Sequence, residues 1–382
     1  MESLRDAGAP DGGAPDGGAD DPTYLAVQRV RTPDSRSVLL SLLPNLDART
    51  LDRSRALEVS GFSRATAFGG KVFVFDGESG VVTRYAVSSG RDFVEEARLS
   101  FASFGIVAFS TSFAFASPTR AFYFDLTTAQ LLVWDPAAMA IVGAVPVPEA
   151  QRDDLTATSG GLVQVAGEIL APVSWRNTAA RELVPAVVAL VFSAEDGRLL
   201  RVDESEACAI SAGVVPAGDD TYYLVGDAES GIFDLFGDEP LPPPCAVPGR
   251  VGVGLDESAT IDLRALTGAP YVSGALGAGV GRFVTQAYDA DIDPESLTNP
   301  FTFGAMELWR FAVVDLGAGR IDIADALPLS RIAFATSAVD GEPLVSVVRA
   351  DSSETTVYRL TEGGPVESVT GTGDVQRIVR VR

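Results

Sequence analysis

The chain has 382 residues, 46% of them hydrophobic, a formal net charge of −23 and no histidine. That apolar content supports a sizeable core and excludes a disordered chain. The missing histidine excludes Ser-His-Asp and Cys-His nucleophile systems and His-ligated metals, two cysteines are too few for a Cys-only zinc or iron–sulfur site, and the charge argues against nucleic-acid binding over the whole surface.

Residues 1–22 carry a near-repeat of Ala-Pro-Asp-Gly-Gly with almost no apolar content. Such a segment cannot pack and is expected to be a disordered tether. Its place ahead of a folded domain suggests a link to a lipid anchor, which would put the protein in the cell envelope at the outer membrane. No apolar stretch of about 18 residues predicts a transmembrane helix, and no signal peptide is visible. Of the 29 basic residues all but Lys71 are arginine. A GC-rich genome explains that bias, and forked recognition of oxyanions is the functional alternative.

From Thr23 onward, short runs of Val, Phe, Tyr, Ile and Leu alternate with Gly, Asp, Ser and Pro, the pattern of strands and turns. One kind of run recurs at Tyr24, Val72, Phe122, Ile169, Tyr222, Phe283 and Leu344, with spacings of 48, 50, 47, 53, 61 and 61 residues. Repeats near 50 residues fit four-stranded propeller blades. Within each unit this run reads as the second strand, B. A strand C follows it, as at 81–87, 130–136, 187–192 and 356–360. Small apolar runs precede it at 65–69, 113–117, 161–167, 212–216, 273–279 and 332–336, and read as the innermost strand, A.

The first unit lacks strand A, while residues 375–381 form a lone extra strand at the C-terminus. The expectation is a single all-β domain over residues 23–382: a seven-bladed β-propeller, closed by the C-terminal strand pairing with the N-terminal blade. Closure removes exposed edges, and the core becomes the seven inter-blade interfaces. A monomer is expected. Unit six carries an insertion, residues 289–305, between B and C. The Pro-Leu-Pro-Pro-Pro stretch at 240–244 is read as lying beyond strand C of unit five.

In a propeller the starts of A and the ends of B share one face around the central funnel. The register puts Arg64, Arg331, Gln376 and Arg377 at starts of A, and Arg29, Arg31, Trp175, Arg176, Tyr288 and Arg349 at ends of B. Phe104 and Tyr271 precede A strands. Such clustering of arginine on a negatively charged protein would focus an anion into the funnel, and Trp or Tyr beside it suits a planar aromatic ligand. The expected binding set is Arg29, Arg31, Arg64, Trp175, Arg176, Tyr271, Tyr288, Arg331, Arg349 and Arg377. The competing reading pairs these arginines with the rim carboxylates Asp76, Asp125, Asp227 and Asp351.

The alternating carboxylates Asp289, Asp291, Asp293 and Glu295 could hold calcium. Pro294 and Pro300 break the EF-hand pattern, so a solvated acidic loop is the expectation, with no metal and no cofactor. No catalytic motif is visible and Lys71 falls on the opposite face, so the chain is expected not to be an enzyme. Cys208 and Cys245 stand 37 positions apart. A disulfide is the expectation and two buried thiols the alternative.

Residues 68–85, 99–105, 119–125 and 130–143 carry a family resemblance, above all in Val-Trp-Asp-Pro (133–136) with Met139. This text resembles the β-propeller lipoproteins of siderophore systems, both the myxobacterial myxochelin-cluster type and the Bacteroidetes surface lipoproteins that take up foreign siderophores. The resemblance spans roughly residues 60–150 and is architectural elsewhere. It implies a binding lipoprotein that captures a ferric, catecholate-type siderophore and passes it to a TonB-dependent outer-membrane transporter. Two alternatives stand beside it: a scaffold docking a membrane protein through its loops, and a calcium-dependent lactonase-like hydrolase.

Overall fold

The computed structural model describes residues 22–31, 34–109, 113–177, 182–226, 241–269, 272–289, 306–331, 336–339, 342–349, 351 and 353–382. Its strands fall into seven antiparallel sheets. From the inside outward, blade one is Asp374–Arg380, Tyr24–Arg31, Arg36–Leu43 and Leu57–Ser60. Blade two is Arg64–Phe68, Lys71–Phe75, Val81–Val87 and Phe93–Ser100, and blade three Phe113–Ser117, Arg120–Asp125, Gln130–Asp135 and Ala140–Pro146. In blade four the second, third and outer strands are Glu168–Asn177, Val187–Ser193 and Leu199–Ser205. Blade five runs Ser211–Pro216, Thr221–Gly226, Cys245–Arg250 and Gly254–Leu255, with Ile261–Asp262 also on its third strand. Blade six is Val272–Gly277, Arg282–Tyr288, Trp309–Asp315 and Arg320–Ile323, and blade seven Thr336–Val339, Glu342–Val348, Glu354–Thr361 and Gly364–Thr372.

The expected closure is present. Tyr24 pairs with Arg380 and Arg29 with Asp374, so both chain ends share blade one. The Thr23 N–H donates to the Arg382 carbonyl at 3.1 Å, and the Val381 N–H to that of Thr23 at 2.7 Å.

Strand B of each blade is a continuous apolar run because both its faces are covered. Val72 and Val74 face the blade-one side, while Phe73 and Phe75 enter the cluster shared with blade three. The buried hydrophobic residues form one such cluster at every junction around the ring, from blades one and two to blades seven and one. The junction of blades two and three is aromatic: Phe75 stacks on Phe113 at 3.4 Å, and Trp134 meets Phe73, Phe75, Phe101 and Phe115 edge-on. This is the stretch that carries the family resemblance, so those residues are core.

Aspartates close the turns. At the ends of B strands, Asp76 accepts from the Glu78 N–H and the Ser79 hydroxyl, Asp125 from the Thr128 N–H and hydroxyl, and Asp351 from the Ser353 N–H. Side chains of this length mimic a backbone turn.

Three strand readings change. The inner strand of blade four, expected at 161–167, is Thr156–Ser159 together with Val163–Val165, both paired with Glu168–Asn177. The break faces Pro172, which has no N–H to give, and Gly161 bends there with φ 116°. The proline-rich stretch at 240–244 precedes the third strand of blade five, because Cys245–Arg250 pairs directly with Thr221–Gly226. In blade seven the described inner strand is Thr336–Val339, and the expected 332–335 lie outside the described residues.

Junction four–five also buries charge. Arg201 reaches both oxygens of Glu168 at 2.6 and 2.8 Å and Asp203 at 2.9 Å, while the Tyr222 hydroxyl donates to Asp203 at 2.6 Å. Cys208 and Cys245 are joined as a disulfide, buried beside this junction.

Candidate functional site

The end of the channel where inner strands begin and B strands finish is defined by two register pairs, Arg29 with Asp374 and Arg64 with Phe75. At this mouth the inner strand of blade one is bulged. Val27 pairs with Arg377 and Gln28 with Val375, which leaves Gln376 as the extra residue. Strict alternation would send Val375 and Ile378 to opposite faces. Instead both enter the cluster between blades seven and one, while Val381 enters the next cluster. The bulge resolves the conflict by turning Gln376 and Arg377 out of the alternation, a familiar way of re-aiming side chains near sites. Arg377 is exposed, about 10 Å along the strand from Asp374 at ~3.3 Å per residue.

Arg64 and Arg377 both reach solvent, yet both guanidiniums have their pKa lowered, and desolvation is the leading cause. Each guanidinium is therefore crowded by neighbouring protein although it is exposed. Arg29 is half-buried and its pKa is lowered too, first by desolvation and next by Arg31; Asp374 opposes the shift, and Arg64 and Arg36 add to it. Arg31 and Arg36 face each other directly across their hairpin, a like-charge pair that costs stability. The Arg36 guanidinium sits 5.7 Å from the ring of the exposed Phe62.

Arg331 and Arg29 have defined partners, and Arg64 and Arg176 also interact with neighbours. Arg331 donates to Asp374 at 2.6 Å, and its carbonyl accepts from Gln286 at 3.0 Å. The two terminal nitrogens of Arg29 lie 3.0 and 3.1 Å from the Gln376 carboxamide, whose oxygen must face those donors. Arg377 has no hydrogen bond or ion pair with any described residue. Of the rim carboxylates named as partners, Asp76 and Asp125 close turns, Asp351 closes a turn and also feels the charge of Arg349, and Asp227 lies outside the described residues.

The two described aromatic members of the expected set are buried and not open to the mouth. Trp175 is 2% exposed; its indole N–H donates to the Ala150 carbonyl at 2.8 Å and Arg152 covers its ring at 4.1 Å. It fills the junction of blades three and four because the last turns of its strand are covered on both faces. Tyr288 is also buried, edge-on to Trp309 at 5.7 Å. Phe104 packs against the junction of blades two and three. Tyr271 lies outside the described residues. Arg176 is half-buried on the strand after Trp175, and Arg349 and Arg31 are exposed. Of the acidic loop only Asp289 is described; it is buried and accepts from Arg310 at 2.8 Å. Sequence reasoning overlooked Asp374 and Arg36, although each sits within five residues of an expected arginine.

No family model matches the chain, and no curated protein does. Solved structures do. A candidate 6-phosphogluconolactonase of Bacteroides fragilis aligns with TM-score 0.57 at 10% identity over 95% of this chain and 99% of that one. The periplasmic gluconolactonase of Pseudomonas aeruginosa gives 0.56 at 13% identity over 94% and 100%. The hydrazine synthase of Kuenenia stuttgartiensis gives 0.52 at 10% identity over 77% and 75%. At these identities the likeness shows the fold: the chain is a seven-bladed β-propeller.

Proposed function

We propose that the protein is a non-enzymatic binding protein that takes a multiply anionic ligand into the arginine-lined mouth of its channel. The observation that carries this is the approach of two desolvated arginines at the mouth, Arg29 and Arg64, with a third desolvated one, Arg377, ~10 Å further along the inner strand, in a chain of net charge −23. Desolvated like charges raise the energy of the empty site, and an anion relieves that cost while gaining from the weakly screened field. Among the described rim carboxylates, Asp76, Asp125 and Asp351 accept turn hydrogen bonds, and the gluconolactonases among the structural relatives contribute the fold alone.

The ligand class follows from the family resemblance: a ferric catecholate siderophore, whose tris-catecholate complex is a trianion that brings its own iron ligands. Delivery to an outer-membrane transporter from a lipid-anchored position belongs to the same proposal. The Cys208–Cys245 disulfide supports a compartment where disulfides persist. The test is equilibrium dialysis of the whole chain against a ferric catecholate, read by the complex's own visible absorption, with a neutral ferric hydroxamate beside it. Saturable retention of the catecholate alone, weakened at least about tenfold by Arg377→Ala or Arg64→Ala, is expected. Equal retention of both complexes, or indifference to both substitutions, would overturn the reading. Direct tryptophan quenching is a poor substitute, because Trp134, Trp175 and Trp309 are all buried.

A further inference from the structure

The mouth handles its arginines in two different ways. Arg331 is neutralised by Asp374, at 2.6 Å and largely buried. Arg29, opposite that same Asp374 in the register, is instead gripped across both terminal nitrogens by a neutral carboxamide. The bulge is what makes the grip possible, since Gln376 is the extra residue of the inner strand and would otherwise follow the alternation set by Val375. A neutral acceptor fixes the direction of a guanidinium without cancelling its charge, whereas a carboxylate does both.

We infer that Gln376 is a positioning residue that sets the charge of the mouth: it aims Arg29 at an incoming anion and leaves that arginine's positive charge unspent. The inference rests on the reading that this mouth takes an anion, and it is independent of which anion. Arg29 then acts with Arg64 at the mouth, and Arg377 extends the cationic wall ~10 Å along the inner strand. A ligand with several separated negative oxygens gains most from such a wall, so the class favoured is a polyanion over a single-charge one. A glutamate at 376 would fit the same space, bind Arg29 more strongly, and remove one unit of net charge from the mouth.

The experiment titrates the full-length wild type, Gln376→Glu, Gln376→Met and Arg377→Ala with inorganic pyrophosphate at fixed ionic strength, by calorimetry, with ligand-free melting of each variant. Wild type is expected to bind saturably. Gln376→Glu is expected to bind at least about tenfold more weakly and with a shallower salt dependence, while its ligand-free melting temperature does not fall, since it gains an ion pair. Gln376→Met loses the grip but not the charge, so its affinity falls less and its salt dependence stays that of wild type. Gln376→Glu binding within twofold of wild type, while Arg377→Ala weakens binding, would overturn the role of Gln376 and leave the anion site standing. No saturable pyrophosphate binding by wild type would overturn both. A protein that takes pyrophosphate, shows the Gln376→Glu loss and refuses ferric catecholate would uphold Gln376 and sink the catecholate assignment alone.

Discussion

Removing residues 375–382 should unfold the propeller. The deletion takes Val375, Ile378 and Val381 out of two interfaces, where they are 0%, 1% and 6% exposed. At ~1.5–3 kcal/mol for each buried aliphatic side chain, that alone costs about 6 kcal/mol. The loss also strands the inner edge of Tyr24–Arg31, the Thr23 amide, and the Ser346 hydroxyl that donates to the Val375 carbonyl at 2.9 Å. Buried polar groups left without partners add roughly 1–3 kcal/mol each. Against a total stability of about 5–15 kcal/mol, the truncated chain has nothing left. The assay is near-ultraviolet circular dichroism of the buried tryptophans together with thermal melting. A graded companion compares Ile378→Ala, at 1% exposed, with Ile323→Ala, at 38% in an outer strand. The first should cost about 2–5 kcal/mol in urea unfolding and the second well under half of that. A truncated chain with an unchanged melting temperature, or equal costs for the two isoleucines, would refute closure through blade one.

Three further outcomes are expected. Arg201→Met leaves Glu168 and Asp203 buried without their cation and should destabilise by about 3–5 kcal/mol in urea unfolding; a loss under 1 kcal/mol would mean that solvent replaces the arginine. Replacing both cysteines by serine opens a loop of 37-residue span, worth about 4 kcal/mol on the chain-entropy account, so the unfolding midpoint should fall clearly while the circular dichroism of the native state is kept. Acid should weaken the fold: a hydrogen bond from Lys71 holds the Glu96 carboxyl below its usual range, and one from Ser193 does the same for Asp196. Depressed folded-state values mean that this stability is present above the ordinary carboxylate range and is lost as pH falls through the folded values, so melting temperatures should drop below about pH 4. A melting temperature flat from pH 6 to pH 3 would contradict it.

The architecture was legible because strand B is the most buried strand of each blade, so its composition repeats even where its sequence does not. Tyr24–Arg31 and Glu342–Val348 announce themselves by apolar density alone. Inner strands were harder to read. They are short, and those of blades one, three, five and six carry register shifts, as at Ser273/Leu276, so alternation fails as a guide. Pro172 split another. The same weakness limited the site. Arg29, Arg64 and Arg377 could be placed at the mouth from their strand positions, but Trp175 and Tyr288 could not be kept from it. Both end strands covered on both faces, where a one-residue difference decides between funnel and interface. Nothing in the run Asp374-Val-Gln-Arg-Ile378 marks Gln376 as the extra residue; the demand that Val375 and Ile378 share one core cluster appears only once the blades are packed.

The most direct measurement is anomalous scattering at the iron edge from crystals of the whole chain grown with a ferric catecholate. The account predicts one strong iron peak near the channel axis, at the end bounded by Arg29, Arg64 and Arg377 and lost in Arg377→Ala crystals. Iron on an outer blade edge, or at the opposite end of the channel beside Lys71, would contradict it.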